Sequence, residues 1–189
     1  MAETIRRPVA ADALAAAREA FMDGRRIDMG AIAAELGIGR TTLHRWYGTR
    51  EDLIDGVLCE LSSEYFAEAR SAARGRGEAL VVSVVRSLVT QAVAVESLRD
   101  FVVREPEVAL RLLVGKERGP RSELERHVRE LIAEAMPEDA ERAAAAARSV
   151  VHVGMSLVWP SLVAGDEPSG DEVVAITRAL LAGARAGYL

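Results

Sequence analysis

Apolar residues recur at three- and four-residue spacing along nearly the whole chain, the period of helices that bury one face. Ala10, Leu14, Ala17 and Phe21 predict a first helix over 8–23, closed by Gly24. Met29, Ile32, Ala33 and Leu36 form the inner face of a short second helix that Asp28 can N-cap. Leu36-Gly37-Ile38-Gly39 reads as a tight turn in which Gly37 supplies a positive φ and Ile38 plugs the corner. A third short helix spans 40–47, with Leu43 and Tyr47 inward, and Gly48-Thr49 ends it. Thr49 then caps a long fourth helix whose stripe is Ile54, Val57, Leu58, Leu61 and Tyr65. Glu51 and Asp52 fall in its first turn, where the helix dipole favours anions. After Arg74-Gly75-Arg76-Gly77 the pattern predicts helices over 78–96, 97–104, 106–115, 120–135, 138–164 and 170–186. Asp166-Glu167-Pro168-Ser169-Gly170 is the clearest late loop. The fold class is all-α.

Composition agrees: hydrophobic residues make up 50% and aromatics 4% of the 189 residues, and Ala, Leu, Glu and Arg are strong helix formers. The Ala-rich run 143–147 fits tight helix packing. A single cysteine, Cys59, excludes an internal disulfide and suits a reducing compartment. The segment 1–8 is polar and does not resemble a signal peptide. The most apolar stretch, 149–164, is shorter than the roughly 18 residues of a spanning helix. It also contains His152 and Pro160, so it reads as a buried helix. These features predict a soluble, cytoplasmic protein with no membrane partner. The net charge of −5 is unevenly spread: residues 1–50 carry +2 and residues 51–189 carry −7. A mildly basic head on an acidic body can approach a polyanion only head-first.

The third helix has two unlike faces. Arg40, Thr41, His44 and Arg45 lie outward, with Thr42 and Trp46 at the rim. Every outward side chain is a hydrogen-bond donor and none is a carboxylate, which is what base edges and phosphates call for. The bland alternative is a small solvated helix in an ordinary bundle, although a helix this short has little stability of its own. Arg50 opposes the dipole of the fourth helix, at a cost of about 0.3–1 kcal/mol. Beside the free amides of a helix start it could grip a phosphate, or it could pair with Glu51 or another carboxylate.

The segment Ile32-Ala33-Ala34-Glu35-Leu36-Gly37-Ile38-Gly39-Arg40-Thr41-Thr42-Leu43-His44-Arg45-Trp46-Tyr47-Gly48-Thr49-Arg50-Glu51-Asp52-Leu53 resembles the signature of TetR/AcrR-family transcriptional regulators. The resemblance implies a homodimer whose third helices enter adjacent major grooves, and a larger C-terminal domain that binds a small effector. It places base contacts at Arg40, Thr41 and His44, and phosphate contacts at Thr42, Arg45, Trp46 and Arg50. Departures from the family pattern are Gly39 for the usual Ser, His44 for Tyr, Trp46 for His, and Asp28 where Thr or Ser often opens the second helix. Without a hydroxyl at position 39 the third helix lacks a side-chain N-cap. Asp28-Met29-Gly30-Ala31-Ile32 and His44-Arg45-Trp46 are also similar to a subgroup regulating quorum-signal degradation.

In the C-terminal body, Arg148, His152, Ser156 and Trp159 line one face of the helix over 138–164, with Met155 at its edge. His152, Met155, Ser156 and Trp159 are the candidate effector-pocket residues. Their stripe could face a cavity, a dimer partner or water. Pro160 removes one internal hydrogen bond and predicts a kink. His127 sits on a strongly charged helix and is expected to be solvated. Gly154, Ala164, Ala179, Ala182, Gly183 and Ala186 permit close helix approach and suit a dimer interface. No catalytic constellation appears, no His pair stands at metal-binding spacing, and no glycine loop cradles phosphate, so no cofactor or metal is expected. The expectation is a helix-turn-helix domain over 1–52 and an effector-binding and dimerisation domain over 53–189. Its partners are a double-stranded DNA operator, a small-molecule effector and a second copy of the chain. Functionally this is a repressor released from a palindromic operator by an apolar or amphipathic effector. The rivals are a helical ligand-binding protein or enzyme whose first bundle only resembles the motif, and a protein-docking module.

Overall fold

The computed structural model describes residues 7–113, 119–137, 140–166 and 168–188, with backbone alone for 140–144. Among them are ten α-helices and no strand. They are α1 (Ala10–Met22), α2 (Met29–Glu35), α3 (Arg40–Tyr47), α4 (Arg50–Ala72), α5 (Glu78–Ala94), α6 (Glu96–Arg104), α7 (Pro106–Leu113), α8 (Pro120–Ala135), α9 (Ala140–Ala164) and α10 (Gly170–Arg185). The expected helices are present to within one or two residues at each described end. Positions 1–6, 114–115 and 138–139, on which the polar N-terminal segment and two predicted helix ends fall, lie outside the described residues. So do the side chains of Ala143 and Ala144 in the Ala-rich run.

Local chemistry sets the ends that matter. The Asp28 carboxylate accepts from the Ala31 amide at 2.7 Å and so caps α2. Gly37, at φ +64°, turns the chain out of α2 where a side chain would be strained. Thr49 opens α4 with a reciprocal cap: its Oγ1 accepts from the Asp52 amide while Asp52 accepts from the Thr49 amide. Gly39 caps α3 without a side-chain hydrogen bond, as expected of a residue that has no side chain.

Two hydrophobic cores result. The first lies under α1–α3 and gathers Ala17, Phe21, Ile32, Leu43, Leu53 and Val57. It continues along α4 to Leu61 and takes in Phe101, Val102, Leu112 and Leu113 of α6 and α7. The second joins the far half of α4 to α5, α8, α9 and α10 around Val84, Ile132, Val151 and Leu181. Met155 and Trp159 pack against both. The first core thus runs on past the start of α4, and α6 and α7, distant in sequence, pack into it. No single described helix is long and apolar enough to cross a membrane.

Candidate nucleic-acid interface and apolar cavity

Helix α3 is held from behind. Leu43 is fully buried, and the Tyr47 hydroxyl donates to the Ala10 carbonyl at 2.8 Å, tying α3 to α1. Burial pushes the Tyr47 phenol above its ordinary value. Gly56 gives α1 room against α4: a Cβ there would stand 3.1 Å from Leu14 Cδ1. The opposite face of α3 is open. Arg40, Thr41, His44 and Arg45 are exposed, while Thr42 and Trp46 are half-buried at the rim, as their spacing predicts.

Two of these side chains have defined settings. His44 Nδ1 donates to the Gly48 carbonyl at 2.8 Å, because a carbonyl can only accept. In the neutral ring Nε2 is then an acceptor. The Arg40 guanidinium lies back over α2, where a Cβ on Gly30 would come within 2.7 Å of it. It is close enough to Asp28 to help the Ala31 amide hold that carboxyl below its usual range. Arg45 makes no ion pair or hydrogen bond among the described residues.

Arg50 resolves differently from its neighbours. Its Nε donates to the Ile27 carbonyl at 2.6 Å. Its two terminal nitrogens grip both oxygens of Glu105 at 2.7 Å each. Of the two readings open at this position, pairing with a carboxylate is the one realised, and the partner is 55 residues away instead of adjacent. The Glu105 side chain is only 11% exposed, and the hydrogen bond from Arg50 holds its carboxyl below the usual range against the opposing effect of burial. Arg104 donates to the Gly24 carbonyl at 2.6 Å, and Arg111 pairs with Glu51 at 2.7 Å. The α6–α7 corner therefore clasps the first turn of α4 and the loop before α2. Sequence spacing carries no signal for such a contact.

Where α4, α5, α8 and α9 meet, an apolar cavity of about 150 Å³ opens. Leu61 and Tyr65 of α4, Val89 of α5 and Val128 of α8 contribute to its wall, with Met155 and Trp159 of α9. A second cavity, about 230 Å³, lies beside it between α6, α7 and α9, and shares Leu113 and Trp159. The sequence-derived pocket set thus divides. Met155 and Trp159 line the cavity, whereas His152 and Ser156 do not. Both are exposed, and the Ser156 hydroxyl donates to the His152 carbonyl of its own helix. The physical reason is helical phase: Val151, Met155 and Val158 face inward, and the Arg148–His152–Ser156 row is turned to the surface. The cavity residues of α4, α5 and α8 escaped sequence reading because an aliphatic stripe that lines a void looks like one that fills a core.

The expectation that His127 is solvated is also corrected. Its ring stacks on Phe66 with centroids 4.7 Å apart, and Nε2 lies 3.3 Å from Ser63 Oγ. Burial and then the Arg126 charge push its pKa down.

Residues 76–182 match the family model described as the tetracyclin repressor-like C-terminal domain. No curated protein sequence matches the chain. Among solved structures, the transcriptional repressor QsdR of R. erythropolis, a TetR-family protein, superimposes with a TM-score of 0.83 at 22% identity. That alignment covers 92% of this chain and 94% of QsdR. The TetR-family repressor AlkX from Dietzia sp. strain DQ12-45-1b, implicated in biodegradation of n-alkanes, gives 0.70 at 16% identity over 95% and 96%. A putative transcriptional regulator from Pseudomonas aeruginosa PAO1 gives 0.53 at 16% identity over 94% and 90%. At these identities the likeness is one of fold.

Proposed function

Because this chain belongs to the TetR family of transcriptional regulators, we propose that it is a homodimeric repressor which leaves a palindromic operator when a small apolar or amphipathic molecule binds its body. The reading head is residues 1–52 and the effector-binding and dimerising body is residues 53–189. Arg40, Thr41 and His44 read base edges; Thr42, Arg45 and Trp46 hold phosphates. The observation that carries this reading is the outward face of α3, where four exposed hydrogen-bonding side chains stand together without a carboxylate. Arg50 joins the phosphate contacts only by leaving Glu105, so it also reports the state of the clasp.

The cavity supplies the ligand-responsive half. It rests on α4, the helix whose first turn follows α3, and on Leu113 of α7. The α6–α7 corner that walls the second cavity is the same one that clasps Arg50 and Glu51. A ligand that moves this corner changes where α3 sits, and a coupling of about 1–3 kcal/mol would be ordinary for two such sites. The test is an electrophoretic mobility shift with DNA from beside the protein's own gene. Retardation is expected at low salt and persists on operator DNA against excess random duplex. Failure to retard any duplex at low salt would dismiss the DNA-binding reading and favour a ligand carrier.

A further inference from the structure

The indole N–H of Trp159 is buried and has no hydrogen-bond partner among the described residues. A buried donor left unmade costs about 1–3 kcal/mol, and native structures rarely tolerate one without a use. Trp159 stands at the boundary of the two cavities and contributes to the walls of both. The remaining described wall is almost wholly aliphatic: the other side chains able to hydrogen-bond are the Ser62 hydroxyl and the Tyr65 phenol. No Lys, Arg or His belongs to the described lining, so a carboxylate or ammonium would be desolvated there without a counter-charge. The second cavity is rimmed by Leu110 and Val163, which are 63% and 55% exposed, so an apolar path leads from the surface to the indole.

We propose that the effector is a neutral aliphatic molecule bearing a hydrogen-bond acceptor, such as an ester or ketone oxygen, and that Trp159 is the residue that recognises it. On binding, the Trp159 ring turns its N–H edge, closed off in the free protein, toward the acceptor; the hydrocarbon fills the cavity between α4, α5, α8 and α9, and entry is between α7 and α9. A site built around one unpaired donor discriminates strongly against analogues lacking the acceptor, because their binding leaves the donor unmade. Hydrocarbon burial alone would not distinguish an ester from an alkane of the same length. This inference rests on the cavity being the effector site but does not require DNA binding.

The probes are methyl octanoate, octane and octanoate, titrated against the full-length wild-type protein and Trp159→Phe, which keeps a ring and removes the donor. Methyl octanoate is expected to bind wild type at least about ten-fold more tightly than octane or octanoate, the value of one net hydrogen bond. Trp159→Phe should erase the advantage over octane. A wild-type measurement guards against a damaged variant: the indole ¹H–¹⁵N resonance of Trp159 should move downfield with the ester and not with octane. Equal binding of ester and octane, tighter binding of octanoate, no binding of any probe, or an unmoved Trp159 resonance would each overturn the proposal. An ester that binds as described but leaves a protein–DNA complex intact would instead overturn the regulatory reading and leave this one standing.

Discussion

Arg40 and Arg45 share the open face of α3 but differ in what holds them. Arg40 folds back over Gly30 near Asp28, so its guanidinium is poised at one place, as base recognition requires. Arg45 is exposed and unpaired among the described residues, which suits a phosphate contact that only has to reach charge. Arg40→Ala is expected to cost about 1–3 kcal/mol on the operator and to flatten discrimination at one base position. Arg45→Ala should weaken operator and scrambled duplexes alike and lower the salt slope by about one per lost contact. A dimer loses each contact twice. Salt titrations of both variants on both duplexes check the assignment, and interchanged behaviour would reverse it.

At the level of helices, the decisive unit is the α6–α7 corner. Arg104 holds the Gly24 carbonyl, Glu105 holds Arg50, and Arg111 holds Glu51. Phe21 and Phe101 meet edge to face behind them, with centroids 5.6 Å apart. Glu105→Gln leaves a largely enclosed Arg50 with a neutral partner and is expected to cost about 1–3 kcal/mol of stability. The pH dependence follows from the direction of the Glu105 shift. Its folded pKa lies below the ordinary value of 4.5, so its contribution is complete above that value and disappears as pH falls through the folded one. As pH falls below the ordinary value of 4.5, the wild-type melting temperature should therefore fall more steeply than that of Glu105→Gln. Parallel melting curves for the two proteins would show that the pair contributes nothing. Arg50→Ala separates tie from phosphate contact: a lowered melting temperature with an unchanged salt slope on DNA would make it a tie alone.

For the whole molecule, the outer surface of α9 and α10 bears on assembly. Ala175, Ala179 and Ala182 of α10, and Ala186 just past its end, are exposed. Gly183 has open space where a Cβ would be. Arg178 and Arg185 beside them are already paired with Glu78 of the same chain. A ridge of small residues lets a second helix approach closely, and Arg148, His152 and Ser156 of α9 are exposed as well. Sedimentation without DNA is expected to give a dimer at micromolar concentration. Ala182→Glu, which puts a charge at the closest approach, should shift it toward monomer with little loss of secondary structure. A monomeric wild type would refute the interface.

What the sequence determined by itself was local. Helical period, the Asp28 and Thr49 caps, and the left-handed turn at Gly37 are decided by neighbours within four residues, which is why the ten described helices and the donor face of α3 could be read from one strand of text. Tertiary structure decided everything that depends on helix phase or on residues far apart. It turned His152 and Ser156 to the surface while bringing Met155 and Trp159 to a cavity, because one step along a helix rotates a side chain by about 100°. It stacked a half-buried His127 on Phe66, and it gave Arg50 a partner 55 residues away. It also left the Trp159 indole N–H buried without a partner among the described residues, a state that no spacing encodes, since an unmet donor is defined only by what surrounds it.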